Sequence, residues 1–304
     1  MLHFRGTLVH QRYEVEGQIG AGASGCVYRA IDKQTSETVA LKHLKQDDKE
    51  VDHEKKFLQE SHLLQELTHP GIPRMVEAFT EPDGFYVAME FIEGTSLDNV
   101  VRQEGTFNPA RVLACAGQIC DILTYLHGQP QPVLHRDIKP QNIIQRPDGQ
   151  GIVLVDFGIA RSMSAHRHSA AGTLGYAPLE QIQGRAERRS DLYALGITMY
   201  YLLVGNTPQL FGSTPSLETA MRGRIQPEVA FIVNMACQQQ PTQRYQSAER
   251  MATAIRRAQK TLESGPAEAP AAVPTSEEKP AEPAKAGCLH LILPPLLLLY
   301  WLHH

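Results

Sequence analysis

His135-Arg136-Asp137-Ile138-Lys139-Pro140-Gln141-Asn142 is followed downstream by the apolar run Ile152-Val153-Leu154-Val155 and then by Asp156-Phe157-Gly158. This span concentrates two carboxylates, an amide and an ammonium. A short apolar run rich in β-branched side chains has the character of a buried strand, and such a strand can return both of its ends to one cleft. Hard carboxylate and amide oxygens beside a lysine suit a magnesium-bound polyphosphate.

Upstream, short β-rich runs alternate with glycine. Tyr13-Glu14-Val15, Cys26-Val27-Tyr28-Arg29-Ala30 and Thr38-Val39-Ala40-Leu41-Lys42 predict three antiparallel strands. Between the first two lies Ile19-Gly20-Ala21-Gly22-Ala23-Ser24-Gly25-Cys26-Val27. Glycines let backbone N–H groups approach phosphate oxygens where a Cβ would intrude, although a glycine hairpin without a ligand would carry the same pattern. A dinucleotide-binding fold is excluded by what comes next, because that fingerprint needs a helix opening on the glycines and here a strand follows. Residues 52–67 then predict a helix, with Leu58, His62, Leu63, Leu64 and Leu67 at roughly helical spacing. Strands follow around residues 75–79 and 85–91, joined by the turn Glu81-Pro82-Asp83-Gly84.

After Gly94 the periodicity turns helical. Asn108 as N-cap with Pro109 at the first helical position opens a helix to about His127. Further helices are expected near residues 216–222, 228–237 and 247–262. A small β-rich part thus gives way to a mostly helical one, and a crevice between the two is where a ligand is expected.

Composition narrows the partners. In 304 residues, 42% are hydrophobic, enough for real cores. The net charge of −4 gives no basic footprint, so nucleic acid is not an expected partner. The five cysteines are scattered without C-x-x-C or histidine pairs at zinc-ligand spacing, and read as reduced thiols of a cytosolic protein. Cys115 and Cys120, five apart on the predicted helix, read as core packing. Met1-Leu2-His3-Phe4-Arg5 continues into polar residues, with no apolar signal-peptide core.

The glycine run, Lys42, the 135–142 stretch and Asp156-Phe157-Gly158 together resemble the signature set of the eukaryotic-like (Hanks-type) bacterial serine/threonine protein kinases. The resemblance implies an α+β, bilobal protein kinase fold: an N-terminal extension over residues 1–12, a β-rich N-lobe with one main helix over 13–92, and a mostly helical C-lobe over 93–262. It implies ATP as nucleotide, with Mg²⁺ or Mn²⁺. Asp137 would orient the attacking hydroxyl and accept its proton, and Lys139 would lie against the γ-phosphate. Thr173 would bridge those two, a pairing that marks serine and threonine rather than tyrosine as acceptors. Lys42 would hold the α and β phosphates with Glu60 as its ion-pair partner, Glu54 and Glu66 being rival acids on the same helix.

Asn142 and Asp156 would ligate the metal. Ile19, Gly20, Gly22, Gly25 and Val27 would form the loop over the phosphates. Val27 and Ala40 would cover the adenine, with Ile144 beneath, Met89 behind, and the backbone of Glu90-Phe91-Ile92 bonding its edge. His135, Phe157 and Leu64 would stack in an apolar column, so that helix position controls whether Glu60 reaches Lys42. Glu180 would pair with Arg244, and Asp191 would brace the catalytic-loop backbone. Arg136 would receive a phosphate carried by Ser164 or Ser169 of the activation segment, while His166-Arg167-His168 reads as a solvated loop. A homodimer would serve autophosphorylation in trans.

The family's Ala-Pro-Glu stands here as Pro178-Leu179-Glu180, and its Asp-Pro-x-x-Arg as Gln240-Pro241-Thr242-Gln243-Arg244. These departures touch substrate docking rather than phosphoryl transfer. They are all that favours a rival reading as a pseudokinase scaffold. A small-molecule kinase is disfavoured by Lys139 together with Gly172-Thr173 and Glu180. Residues 263–287 are Ala, Pro and Glu with almost no large apolar side chain, and predict a disordered linker. The tail of residues 288–304 holds about fifteen apolar residues, roughly 22 Å as a helix against roughly 30 Å of hydrocarbon. Pro294-Pro295 would kink it, and Tyr300-Trp301 suits a membrane interface. It is a candidate anchor holding a cytoplasmic kinase domain on the inner face of the cell membrane, the alternatives being a docking peptide or a tail without function.

Overall fold

The computed structural model describes residues 4–22, 25–45, 51–149, 151–157, 175–207 and 217–264. Six antiparallel strands open the chain: β1 (Leu8–Val9), β2 (Tyr13–Gly22), β3 (Gly25–Asp32), β4 (Thr38–Lys45), β5 (Met75–Glu81) and β6 (Gly84–Glu90), in the order β1-β2-β3-β4-β6-β5. Helix α1 (Val51–Gln65) lies between β4 and β5 in sequence. The sheet begins within residues 1–12, since Val9 pairs with Tyr13 and is buried.

The glycine run is itself strand. Gly20 stands opposite Val27 and Gly22 opposite Gly25, with register slips between Val15 and Gly17 and between Gln18 and Gly20. Such bulges bend and twist a hairpin. Gly25 has φ +145°, and a Cβ there would collide with the carbonyl oxygen of His43.

Alternate residues of a strand face opposite sides, and in β6 both sides are apolar. Tyr86 and Ala88 join Tyr13, Tyr28, Leu41 and Phe79 inside the curl of the sheet. Phe85 and Val87 join Leu44 and Phe57 of α1 on the other face. The curl closes where β2 meets β5: the Tyr13 hydroxyl donates to Glu77 at 2.6 Å, Arg12 donates to the same carboxylate at 3.2 Å, and the His10 ring stacks on Phe79 at 4.2 Å.

The second lobe is helical. It contains α2 (Leu97–Glu104), α3 (Pro109–His127), α4 (Leu179–Ile182), α5 (Arg188–Val204), α6 (Leu217–Met221), α7 (Pro227–Ala236) and α8 (Ala248–Ser264). Asn108 caps α3 by accepting the Arg111 N–H at 2.8 Å, with Pro109 in the first turn. Beyond its polar first turn, helix α5 is buried, with Leu192, Leu195, Ile197 and Met199 nearly inaccessible, as expected of a core helix. Its start is tied by the Glu187 N–H donating to Ser190 Oγ at 3.1 Å. Helix α8 runs to Ser264, past the expected boundary at residue 262.

A small sheet, β7 (Thr95–Ser96), β8 (Ile143–Gln145) and β9 (Ile152–Leu154), has residues 135–142 leading into β8 and Asp156-Phe157 following β9, so the β8–β9 hairpin links the two stretches. The link after α1 reaches into the helical lobe: Leu67 and Ile72 belong to its core, and the Leu154 N–H donates to Gly71 O at 2.8 Å. Cys26, Cys115, Cys120 and Cys237 are buried thiols, and burial pushes Cys120 up to about 12. Among the described residues no helix is long and apolar enough to cross a membrane.

Candidate active site

The site is built on an irregular loop held from below. Buried Asp191, in the first turn of α5, accepts the N–H of His135 at 3.0 Å, the N–H of Arg136 at 2.8 Å and His127 Nε2 at 2.9 Å. Burial works to raise this carboxyl, but the His127 bond, nearby His135 and the Arg136 amide outweigh it and hold it below its ordinary range. Arg136 needs such support because its φ of +64° lies in the left-handed region, which costs a non-glycine residue about 1 kcal/mol. Gln181 of α4 secures the other side, donating to Arg136 O at 2.8 Å.

The chain then delivers Asp137, whose Oδ2 accepts from Lys139 Nζ at 2.9 Å and from Asn142 Nδ2 at 3.0 Å. Asn142 Nδ2 also donates to Asp137 O at 2.8 Å. Both bonds use the amide nitrogen, so the Asn142 oxygen is the group that can ligate a cation. The carbonyl of Asn142 accepts the Val155 N–H at 2.8 Å, which fastens the loop to the end of β9 next to Asp156.

Asp156, at φ +67°, is the second left-handed residue of the site. Its carboxylate forms an ion pair with Lys42 Nζ of β4, a lysine that is 5% exposed. Burial tends to raise the Asp156 carboxyl, but Lys42, then Lys139 and His135, prevail and hold it below its ordinary value. Burial lowers His135, and its Nδ1 accepts the Asp137 N–H at 3.4 Å. The ring packs on Phe157 with centroids 4.9 Å apart. Phe157 and Leu64 of α1 each touch both the helical core and the cluster under the sheet. Lys42, Leu64, Met75, Met89, Asp156 and Phe157 line one cavity.

Other expected residues fall in several places. Val27 and Ala40 are half-buried on β3 and β4, Ile19 is exposed on β2, and Ile144 is half-buried on β8. The Glu90 N–H is committed to Arg74 O at 2.8 Å. Glu180 accepts from Arg244 at 2.6 and 3.2 Å and from Ser190 Oγ at 2.8 Å. Of the rival acids, Glu54 on α1 accepts from Thr80 of β5 at 3.1 Å, and Glu66, one residue past the end of α1, is exposed beside His62. The side chain of Glu60, together with Gly158, Ser162, Ser164, His166, Arg167, His168, Ser169 and Thr173, lies outside the described residues.

Sequence reasoning missed Asp98 and Gln181. Asp98, buried on α2, accepts from Gln141 Nε2, Tyr201 OH and Arg102, each at 2.8 Å, and so joins the catalytic loop to α2 and α5. Its only signal is an acid among Leu97, Val100 and Val101 on the buried side of a short helix.

A curled sheet over a helical lobe, with Lys42, Asp137, Asn142 and Asp156 at their junction, defines the class of protein kinases. The protein kinase domain model matches residues 13–268, and the chain belongs to that family. It is 32% identical to serine/threonine-protein kinase B of Synechocystis sp. over 266 residues, which cover 80% of this chain and 46% of that protein. It is also 32% identical to serine/threonine-protein kinase PrkC of Bacillus subtilis over 271 residues, 83% of this chain and 41% of that one. The chain thus spans less than half the length of either relative. Among solved structures, the kinase domain of Mycobacterium tuberculosis PknI shares the fold, with a TM-score of 0.70 at 24% identity over 84% of this chain and 99% of that one. Rad53 1-466, solved in complex with AMP-PNP, gives a TM-score of 0.67 at 25% identity over 80% of this chain and 65% of that one.

Proposed function

We propose that this chain is an ATP-dependent serine/threonine protein kinase. The observation that carries the reading is the Asp137 carboxylate held by Lys139 and Asn142, in a loop whose Asn142 carbonyl fastens the strand end bearing Asp156. A substrate hydroxyl oxygen attacks the γ-phosphorus, the bond from that phosphorus to the β–γ bridging oxygen breaks, and ADP leaves. The hydroxyl proton passes to Asp137. Little base strength is needed, because positioning and charge stabilisation dominate such transfers.

Lys139, whose ammonium is shared with Asp137, offsets charge on the transferring group, and Thr173 would support that pairing. Lys42 turns from Asp156 to the α and β phosphates. Glu60 would be its partner, as the family register implies; Glu54 instead meets Thr80, and Glu66 lies exposed beside His62. The Asn142 oxygen and Asp156 would hold Mg²⁺ or Mn²⁺, which supplies charge neutralisation between phosphate oxygens. Two hard oxygens fit an ion that keeps waters and phosphate ligands.

Gly20, Gly22 and Gly25, with Ile19, cover the phosphates. The adenine lies between Val27 with Ala40 and Ile144, in front of Met89, and is read by the Glu90 carbonyl and the Ile92 backbone. Ser164 or Ser169, phosphorylated in trans within a homodimer, would dock on Arg136. Residues 265–287, beyond the end of α8, act as a linker, and residues 288–304 as an anchor on the inner face of the membrane.

Incubating the full chain with Mg²⁺ and ATP and mapping phosphate tests the enzyme reading. Phosphoserine and phosphothreonine are expected, lost in Asp137→Asn. Phosphotyrosine alone would overturn the acceptor assignment. No phosphate on the chain or on generic substrates, with Asp137→Asn behaving like the parent, would leave the scaffold reading that Pro178-Leu179 favours.

A further inference from the structure

Helix α8 closes the helical lobe with one face and presents the other to solvent. Met251, Ala252, Ile255 and Ala258 are buried, while Arg250, Thr253, Arg256, Arg257, Lys260, Thr261 and Ser264 are exposed. At 3.6 residues per turn, Arg250, Thr253, Arg257, Lys260, Thr261 and Ser264 fall within an arc of about 100°, and no acid interrupts it. Glu249 and Glu263 lie to one flank with Arg256. The three hydroxyls are turned inward, each donating to a carbonyl of its own helix four residues back. The arc is therefore a cationic strip, roughly 15 Å long from Arg250 to Lys260. Among the described residues Arg250, Arg257 and Lys260 form no ion pair.

The chain's net charge is −4, so this strip runs against the overall balance. It also lies close in sequence to the greasy segment. A coil of the 23 residues 265–287 has a root-mean-square span of about 26 Å. A tail held at a membrane would therefore keep α8 within reach of the same surface. A short apolar segment broken by Pro294-Pro295 is a marginal anchor by itself, and stable attachment takes a second signal.

We propose that the exposed face of α8, through Arg250, Arg257 and Lys260, docks on a layer of anionic lipid headgroups and acts together with the tail of residues 288–304. This rests on the anchor reading of that tail. Each cation near an anionic surface strengthens binding about fivefold, so three amount to roughly a hundredfold. The effect is electrostatic and fades in about 0.5 M salt.

Flotation of the full chain with vesicles of phosphatidylcholine, or of phosphatidylcholine mixed with phosphatidylglycerol, tests the proposal. The parent is expected to prefer the anionic vesicles by roughly a hundredfold. The R250Q/R257Q/K260Q variant is expected to fall to the neutral-vesicle level, with thermal midpoint and phosphotransfer unchanged. A second variant, L296E/L298E, is expected to weaken binding to both vesicle types. If the triple variant keeps the parent's preference, or the parent shows none, the α8 surface is refuted whatever the tail variant does. If the triple variant loses the preference while the tail variant floats like the parent, the α8 surface stands and the anchor reading falls.

Discussion

Replacing Asp191 by asparagine preserves shape but reverses the hydrogen-bonding sense of one side of the group. In the parent, Oδ2 accepts from His135 N–H and His127, and Oδ1 accepts from Arg136 N–H. An amide can place its oxygen on only one of these sides. Keeping the better-served side sets an NH₂ group against the Arg136 N–H. A buried amide without an acceptor costs about 1–3 kcal/mol, and the surviving bonds weaken because the acceptor is no longer charged. Arg136 is meanwhile released from a left-handed conformation that was being held. The expected destabilisation is about 2–4 kcal/mol, read from urea midpoints.

In kinetics, kcat should fall roughly a hundredfold, as a misplacement near 1 Å does, while KM for ATP changes little. The pH dependence has a definite sign. The Asp191 carboxyl sits below its ordinary value of 3.8, so its contribution is present above that pH and is lost as pH falls toward the depressed value. The asparagine variant should lose less stability on acidification over that window. Equal urea midpoints and equal kcat in parent and variant would refute the reasoning.

Two further outcomes follow from local geometry. Gly25→Ala must adopt a positive φ and meet the His43 carbonyl, and should lose at least about 2 kcal/mol in chemical denaturation; Gly22→Ala, with open space around its Cβ, should stay within about 0.5 kcal/mol. Arg244→Ala should cost about 3–5 kcal/mol by stranding Glu180. Arg244→Lys should recover less than half of that, because the guanidinium also donates to Gln238 O and Gln239 O. A lysine variant as stable as the parent would contradict that geometry.

The grouping of the site residues was legible because they are short-range neighbours. Asp137, Lys139 and Asn142 interact across a few positions, and one short hairpin, β8–β9, separates them from Asp156. Asp98 escaped notice because two of its donors, Gln141 and Tyr201, are distant in sequence and its own helix is short. Gln181 escaped for the same reason, since its partner is a backbone carbonyl and leaves no trace in residue type. The edge strand at Leu8–Val9 is too short to show alternation, and only its pairing with β2 reveals it. The choice among Glu54, Glu60 and Glu66 could not be made from helical spacing; the contact of Glu54 with Thr80 is one that no periodicity encodes.

The pairing of Lys42 with Asp156 joins the sheet lobe to the catalytic hairpin. Each is the other's counter-ion when nothing else is bound. On the function proposed above, Asp156 would hold the dication and Lys42 the polyphosphate, so that loading the cleft would be an ion exchange in which each side chain gives up the other as partner. Because the charges are swapped rather than newly assembled, nucleotide affinity would vary only weakly with ionic strength. Neutralising either partner would unbalance the resting cleft as well as the loaded one.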